Sequence, residues 1–257
     1  MDVLYTVSGF VVGFVVGITG VGGGSLMTPL LVAGFGVAPV TAVGTDLLYA
    51  ALTKLGGSWA HSRKGTVDWQ VVRLLATGSV PAALASVWLM HALHLGDQSL
   101  KTLVTGVLGV ALVLTALALL GKSWLARSHG AAPREWPPRR VAAATVLAGA
   151  VLGGLVAISS VGAGALGVVV LQFLYPRTAS ARIVGTDIAH AVPLTLVAGL
   201  GHAALGSVDF GLLGCLLLGS LPGIWLGSHV GVKIPDRILR PALAGMLLLV
   251  GGRIVFA

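Results

Sequence analysis

VGTDLLYAALTKLGGSWAHSRKGTVDW, residues 43–69, is answered 141 positions later by VGTDIAHAVPLTLVAGLGHAALGSVDF, residues 184–210. Gly44-Thr45-Asp46 falls on Gly185-Thr186-Asp187, His61 on His202, Gly65 on Gly206 and Val67-Asp68 on Val208-Asp209. Downstream, Gly78-Ser79 and Pro81 meet Gly219-Ser220 and Pro222 at the same offset. Upstream the offset is 140: Gly13 meets Gly153, Thr19 meets Ser159, and VGGG at 21–24 meets VGAG at 161–164. A fixed offset is the signature of a duplicated unit. The chain divides into a first repeat, 1–120, a linker, 121–140, and a second repeat, 141–257.

The composition says where such a unit folds. Hydrophobic residues make up 56% of the chain, charged residues only 9%, and mean hydropathy is +0.99. A soluble domain carries roughly 25% charged residues. Ten apolar segments run along the sequence, near 3–19, 24–37, 43–60, 70–92 and 98–120, then 141–158, 163–175, 183–201, 208–230 and 237–256. A helix needs about 20 such residues to cross the hydrocarbon, and lipid leaves unpaired backbone groups no other partner than the helix itself. The N-terminal MDVLYTVSGF lacks a basic region and a small-residue cleavage site, so it reads as the first span and not as a cleaved leader. The expected fold is all-α, a polytopic helical membrane protein of about 8–10 transmembrane segments.

Five segments per repeat is an odd number; if all of them cross, the second repeat enters the membrane upside down relative to the first, the inverted-repeat plan of many secondary transporters. Basic residues test this, because Lys and Arg in short loops mark the cytoplasmic side. With Arg63 and Lys64 inside, the basic stretches 122–140, 177–182 and 233–240 also fall inside, and the opposite loops near 38–42, 93–99, 159–162 and 202–207 contain neither residue. Lys101 and Arg253 are the exceptions. The net charge of +8 is thus a topological signal: no clustered basic face with interleaved aromatics is present, and nucleic acid is not an expected partner. The single cysteine, Cys215, excludes an intrachain disulfide and reads as an inert core residue.

The glycines interrupt the spans. The second segment of each repeat holds about 14 residues, roughly 21 Å of helix, too short for the bilayer. One end of it therefore lies at membrane depth, and Gly20–Gly24 and Gly162–Gly164 read as breaks between helices, tolerated only where buried in protein or lining a cavity. Such breaks present N–H groups and the positive ends of helix dipoles to an anion. The competing reading is close helix packing, which is the better one for Gly13, Gly17, Gly153 and Gly154.

These features together resemble the TauE/SafE-type sulfite and sulfonate exporters, also called the TSUP family. The resemblance rests on the Gly-rich end of the first segment in each half, the AVGT and IVGT starts of the third segments, the GSVP and GSLP of the fourth, and the duplication. Where many members have Gly-Thr-Ser, this chain has Gly-Thr-Asp twice. The resemblance implies a bacterial inner-membrane, multi-pass carrier of small sulfur-containing or organic anions, without enzymatic activity.

Read on that basis, the candidate substrate contacts are Thr19, Gly22, Gly23, Gly24, Ser25, Thr45, Lys54, Ser159, Ser160, Gly162, Gly164 and Thr186. Ionisable residues inside spans mark functional sites by default, and Asp46, Asp187 and His190 are the proton-coupling candidates. Asp187 and His190 stand three apart on one helix face. The plain alternative is that Asp46 and Asp187, three residues into their segments, cap their own helices, at opposite faces of the membrane. Lys54 can snorkel to the interface or neutralise a substrate anion; its repeat equivalent is Thr195. His61 and His202 read as interfacial. Asp68 and Asp209 read as N-caps, each with an interfacial aromatic beside it.

No nucleotide-binding loop, cofactor motif or metal-ligand cluster is present, so transport runs on an ion gradient or on the substrate's own. The expected function is secondary transport of small anions by alternating access, most simply export, with coupling to protons. Two other classes fit less well: an anion channel or membrane scaffold without a transport cycle, and an intramembrane serine hydrolase using Ser25 or Ser159 with His190 or His202, for which the G-x-S-x-G elbow is missing. The expected partners are the bilayer and a small anion.

Overall fold

The structure, a computed structural model, describes residues 3–19, 24–93, 97–127, 137–230, 241 and 244–252. These stretches fold as helices joined by short connections: α1 (Val3–Thr19), α2 (Gly24–Pro29) continued by a π-helical turn (Leu30–Gly34), α3 (Pro39–Arg63), α4 (Trp69–Ala92), α5 (Asp97–Arg127), α6 (Pro138–Ser159), α7 (Ala165–Leu174), α8 (Ser180–Ala204) and α9 (Phe210–Val230). Helix also covers 244–252. Among the described residues, five helices are long and apolar enough to cross a membrane: Trp69–Ala92, Gln98–Gly121, Pro138–Ser159, Ser180–Ala204 and Phe210–His229. Their outer faces carry large exposed apolar side chains, Trp88, Leu117, Leu147, Val151 and Trp225 among them. An apolar surface of this extent belongs against lipid. The protein is a polytopic helical membrane protein.

Local signals set the helix ends. Asp68 Oδ1 accepts the N–H groups of Gln70 and Val71 at 3.2 and 3.3 Å, and Asp209 Oδ1 accepts that of Leu212 at 2.9 Å. Both aspartates are the N-caps the sequence suggests, of α4 and α9, and Trp69 and Phe210 beside them are exposed. Pro39 and Pro138 occupy first-turn positions, where a missing N–H costs nothing. Gly65 and Gly206 take φ of +64° and +71° just after α3 and α8, the left-handed conformation that glycine adopts without strain. Helix runs further than the hydropathy does: α5 continues to Arg127 and α6 begins at Pro138, reaching into both ends of the 121–140 stretch.

The short second segments are shorter still than their hydropathy suggests. α2 with its π-turn covers residues 24–34, and α7 has 10 residues. By contrast α3 and α8 start at Pro39 and Ser180, several residues ahead of the apolar runs, which places Asp46 and Asp187 each eighth in its helix. Neither aspartate caps its own helix.

The repeats interlock. The heaviest packing joins α1 to α9 and α4 to α6, so the first helix of each repeat lies on the fourth helix of the other, while α3 and α8 pack together between them. Glycine permits this close approach, because association in lipid relies on van der Waals contact between backbones. A Cβ on Gly9, Gly13 or Gly17 would run into the backbone of Leu216, Ser220 or Ile224, and one on Gly78 or Gly149 into Val146 or Leu75. Gly153 is held against Ser79 in the same way, whereas Gly154 has only the Ser86 hydroxyl near it. Cys215 lies buried in α9 as a free thiol.

Replacing Gly13 or Gly149 with Leu must push two helix backbones apart, and overpacking of this kind costs about 1–3 kcal/mol or more. Gly106→Leu is the control, since nothing lies within 4 Å of its Cβ position. Thermal unfolding in detergent, followed by tryptophan fluorescence, is expected to show a lowered midpoint for the first two variants and none for the third.

Candidate functional site

Helices rise about 1.5 Å per residue and bring every fourth residue to one face. On α3 this aligns Asp46, Ala50 and Lys54; on α8 the equivalent face carries Asp187, Ala191 and Thr195. Both faces are turned inward. Asp46 is fully buried, Lys54 is 5% exposed, and Asp187 and His190 are equally enclosed. The small alanine between Asp46 and Lys54 leaves room, and a helical side chain leans back toward the N-terminus, so the Lys54 stem runs toward Asp46.

Asp46 ties together the short elements of both repeats. Its Oδ2 accepts hydrogen bonds from the Thr28 N–H at 3.2 Å, from the Thr28 hydroxyl, and from the Ser160 hydroxyl at 3.0 Å. Thr28 belongs to α2 of its own repeat, and Ser160 to the break between α6 and α7 of the other. Lys54 reaches the same break: its Nζ donates to the carbonyl of Ala163 at 2.9 Å. The ammonium does not snorkel to the interface, because its stem and head are both enclosed. The break itself is built on unusual backbone. Ser160 sits at φ +57°, and Gly162 and Gly164 at +120° and +131°.

Asp187 stands at the matching place in the second repeat. Its Oδ1 occupies the position a side chain at Gly167, in the first turn of α7, would need. Lys54 lies within electrostatic range of both Asp46 and Asp187, carboxyl groups from opposite repeats. The aspartates therefore do not stand apart at opposite membrane faces as the segment boundaries suggest; the longer α3 and α8 carry them to a common centre. His190 shares this centre, with Nε2 2.8 Å from the hydroxyl of Ser79 on α4. Its repeat equivalent, Tyr49, faces Ser220 on α9, the repeat equivalent of Ser79.

The remaining candidates take up other positions. Thr45 Oγ1 accepts the Asp209 N–H at 3.1 Å, and Thr186 Oγ1 accepts the Asp68 N–H at 2.9 Å. These reciprocal bonds fasten the start of α3 to α9 and of α8 to α4. Gly44 and Gly185 let the same strands of chain approach, against the carbonyls of Ser207 and Thr66. Ser159 Oγ donates to the Leu155 carbonyl at 2.7 Å and accepts the Val161 N–H at 3.2 Å, so it closes its own helix end. His202 is buried and not interfacial: Nε2 donates to the Ala157 carbonyl at 2.9 Å. His61 pairs with the Thr66 hydroxyl at 2.8 Å. Gly22 and Gly23, and the side chains of Thr19 and Ser25, lie outside the described residues, as does the side-chain position of Gly24.

Two residues of the site gave no sequence signal strong enough to single them out. Thr28 stands beside Pro29, four residues past the Gly20–Gly24 run, and Ser79 recurs as Ser220, a repeat that could have marked it. The Ala163 carbonyl has no sequence signature at all. A cleft holding about 230 Å³ of empty space, mouth included, is lined by Asp68, Val71, Leu171, Tyr175, Ile183 and Thr186, one residue from Asp187. Arg182 and Asp68 pair across its rim at 3.3 Å, and Tyr175 bonds the Thr145 hydroxyl at 2.8 Å.

The chain matches the family described as sulfite exporter TauE/SafE over residues 5–254. It is similar to the probable membrane transporter protein YjnA of Bacillus subtilis, 38% identical over 99% of this chain and 100% of that one. It is also similar to the probable membrane transporter protein YdhB of the same organism, 26% identical over 93% and 97%. A probable membrane transporter protein of Xylella fastidiosa (strain Temecula1) is 27% identical over 88% and 84%. No solved structure gives a significant match.

The bonds of Thr45 and Thr186 generate a direct test of their role. Thr45→Val and Thr186→Val each leave a part-buried N–H without its acceptor, a loss of about 1–3 kcal/mol. Both variants are expected to unfold at lower temperature in detergent while their concentration for half-maximal anion flux stays that of the parent; a selective rise in that concentration would instead make them substrate contacts.

Proposed function

The chain belongs to the TauE/SafE sulfite exporter family and is a membrane transporter; from that premise and the geometry around Lys54 we propose that it is a secondary carrier of small anions. The carriage is of sulfite, sulfonates or related organic anions across the bacterial inner membrane, by alternating access, in the export direction and coupled to protons. The observation that carries this reading is the buried Lys54 ammonium, fixed by one carbonyl and flanked by the glycine break of the opposite repeat. A buried cation is costly unless an anion or dipole compensates it, so such a group marks a substrate path.

Lys54, Ser160 and the backbone of Gly162–Gly164 are the proposed substrate contacts among the described residues. Asp46 Oδ1 supports the assignment. It is fully buried and has no hydrogen-bond partner among the described residues. Buried polar atoms are almost always paired, and an orphan calls for a reason; facing a substrate or a moving proton supplies one. Asp46, Asp187 and His190 are the proposed proton carriers. Alternating access suits the construction, because Asp46 and Lys54 grip the break between α6 and α7, and each change of grip moves one repeat against the other.

Uptake and counterflow of radiolabelled sulfite and taurine, with lactate as a carboxylate control, in proteoliposomes with and without a pH gradient test the proposal. Saturable sulfur-oxyanion flux, raised by the gradient, is expected. Lys54→Ala and the isosteric Lys54→Gln are expected to lower it at least tenfold, since each good charge-assisted contact is worth about 1.5–3 kcal/mol. Flux of none of the three compounds by folded, inserted protein would refute the carrier reading for these anions.

A further inference from the structure

The two ends of the molecule are built alike, but one carries a cation at a place where the other has a hydroxyl. Asp68 and Asp209 are repeat equivalents and do the same structural work. Each caps the helix that follows it through Oδ1, and each gives its own N–H to the threonine of the opposite repeat's Gly-Thr-Asp motif. Asp68 has a further bond, in which its Oδ2 accepts from the Arg182 guanidinium at 3.3 Å. The residue equivalent to Arg182 in the first repeat is Thr41. The cap and the crossed bond at the Asp209 end thus form without an arginine, so the scaffold does not account for Arg182.

Arg182 stands where an anion would arrive. It is half exposed at the rim of the cleft bounded by Asp68, Val71, Leu171, Tyr175, Ile183 and Thr186. The end of α3 and the turn after it, with Arg63 and Lys64, lie at the same end, since His61 and the Thr66 carbonyl press against Gly185. The connections at the opposite end, 35–38 and 205–209, contain neither Lys nor Arg. Basic residues in short loops mark the cytoplasmic side, so the cleft opens to the cytoplasm. From its rim, Arg182, Thr186 and His190 follow one another along a single face of α8, and His190 reaches Ser79 at the buried centre. The floor of the cleft is apolar, with Val71, Leu171 and Ile183 packed on Leu75 and Val168. Leu75 is one turn of α4 from Ser79, and Val168 is next to Gly167, against which Asp187 lies.

We propose that this cleft is the cytoplasmic loading site of the carrier, where Arg182 exchanges Asp68 for an incoming sulfur oxyanion before the anion passes inward to Lys54. The proposal rests on the carrier reading above and adds where, and by which group, the cargo is first bound. The aspartate permits the exchange. When Arg182 leaves, Asp68 keeps two N–H groups of α4 and the positive end of that helix. A solvent-exposed ion pair with a contact of 3.3 Å contributes little. A planar guanidinium, by contrast, can meet two oxygens of a sulfite or sulfonate group at once, as it does with carboxylate and phosphate. The pair therefore holds Arg182 in place between cargoes and yields to each one. No covalent bond is made or broken.

Uptake of radiolabelled sulfite is measured in inside-out membrane vesicles, which present the cytoplasmic face, and in right-side-out vesicles, both containing the full chain, with the flux of vesicles lacking it subtracted. Arg182→Gln is expected to raise KM at the cytoplasmic face about tenfold or more, with a maximal rate within about twofold of the parent and an unchanged KM at the opposite face. Arg182→Lys keeps the charge without the fork and is expected to fall between. Asp68→Asn works in the other direction: asparagine still caps the helix, the competing charge is gone, and cytoplasmic KM is expected to fall about threefold. Lys64→Gln removes an exposed charge of the same end outside the cleft and is expected to move neither KM. A cytoplasmic KM that Arg182→Gln leaves unmoved, that Lys64→Gln raises as much, or that rises alike at both faces would overturn the loading site and leave the carrier standing. So would a cytoplasmic KM that Asp68→Asn leaves unmoved or raises. Absence of saturable sulfite flux by the parent at either face would overturn both.

Discussion

The Asp46 carboxylate is the point on which the arrangement depends. In hydrocarbon surroundings a carboxylate must have donors, and no solvent supplies them. Asp46 obtains them from Thr28 in its own repeat and Ser160 in the other. A single oxygen thus fixes the short helix α2 to α3 and holds the opposite repeat's break against both. Lys54, two turns along the same face, holds that break a second time through the Ala163 carbonyl. The glycines of the break make the grip possible, since the backbone takes conformations there that side chains rarely allow.

The Gly-Thr-Asp motif divides three tasks among three neighbours. Gly44 and Gly185 allow a loop to approach, Thr45 and Thr186 receive the N–H of the aspartate that caps the other repeat's fourth helix, and Asp46 and Asp187 point to the centre. Because the motif occurs twice and its bonds run between repeats, each repeat completes the other. The same exchange is seen in the helix packing, α1 on α9 and α4 on α6. Neither repeat can bury its own first helix alone. Where the halves differ, at Lys54 and Thr195 or at Tyr49 and His190, the difference falls in the central face, so the scaffold is symmetric and the chemistry is not.

Much of this was legible beforehand. The duplication, the helical membrane class, the N-capping aspartates and the packing glycines each have a local cause: periodicity, apolar length, a carboxylate before a helix, a small residue on a helix face. The boundaries of α3 and α8 were not legible, because the first turns, Pro-Val-Thr-Ala at 39–42 and Ser-Ala-Arg at 180–182, carry a weaker apolar signal than the runs they precede while still being helical. That shift of several residues moved Asp46 and Asp187 from helix ends to the core. At its other end α8 runs on to Ala204, past the apolar run that stops near 201, and so carries His202 inside the helix and buried.

Residue type and order alone show which residues are costly in a membrane and that they recur in two copies. Those are properties of residue type and order, fixed before any contact forms. Only the tertiary structure decided what the costly residues do. Thr45 and Thr186 look alike with Asp46 and Asp187 in one dimension, yet the threonines serve the loops and the aspartates serve the centre, because a helix turns neighbouring side chains by about 100° and sends them to different partners. That Lys54 comes within electrostatic range of carboxyl groups 141 residues apart follows from the packing of α3 on α8, a long-range contact that no local pattern encodes.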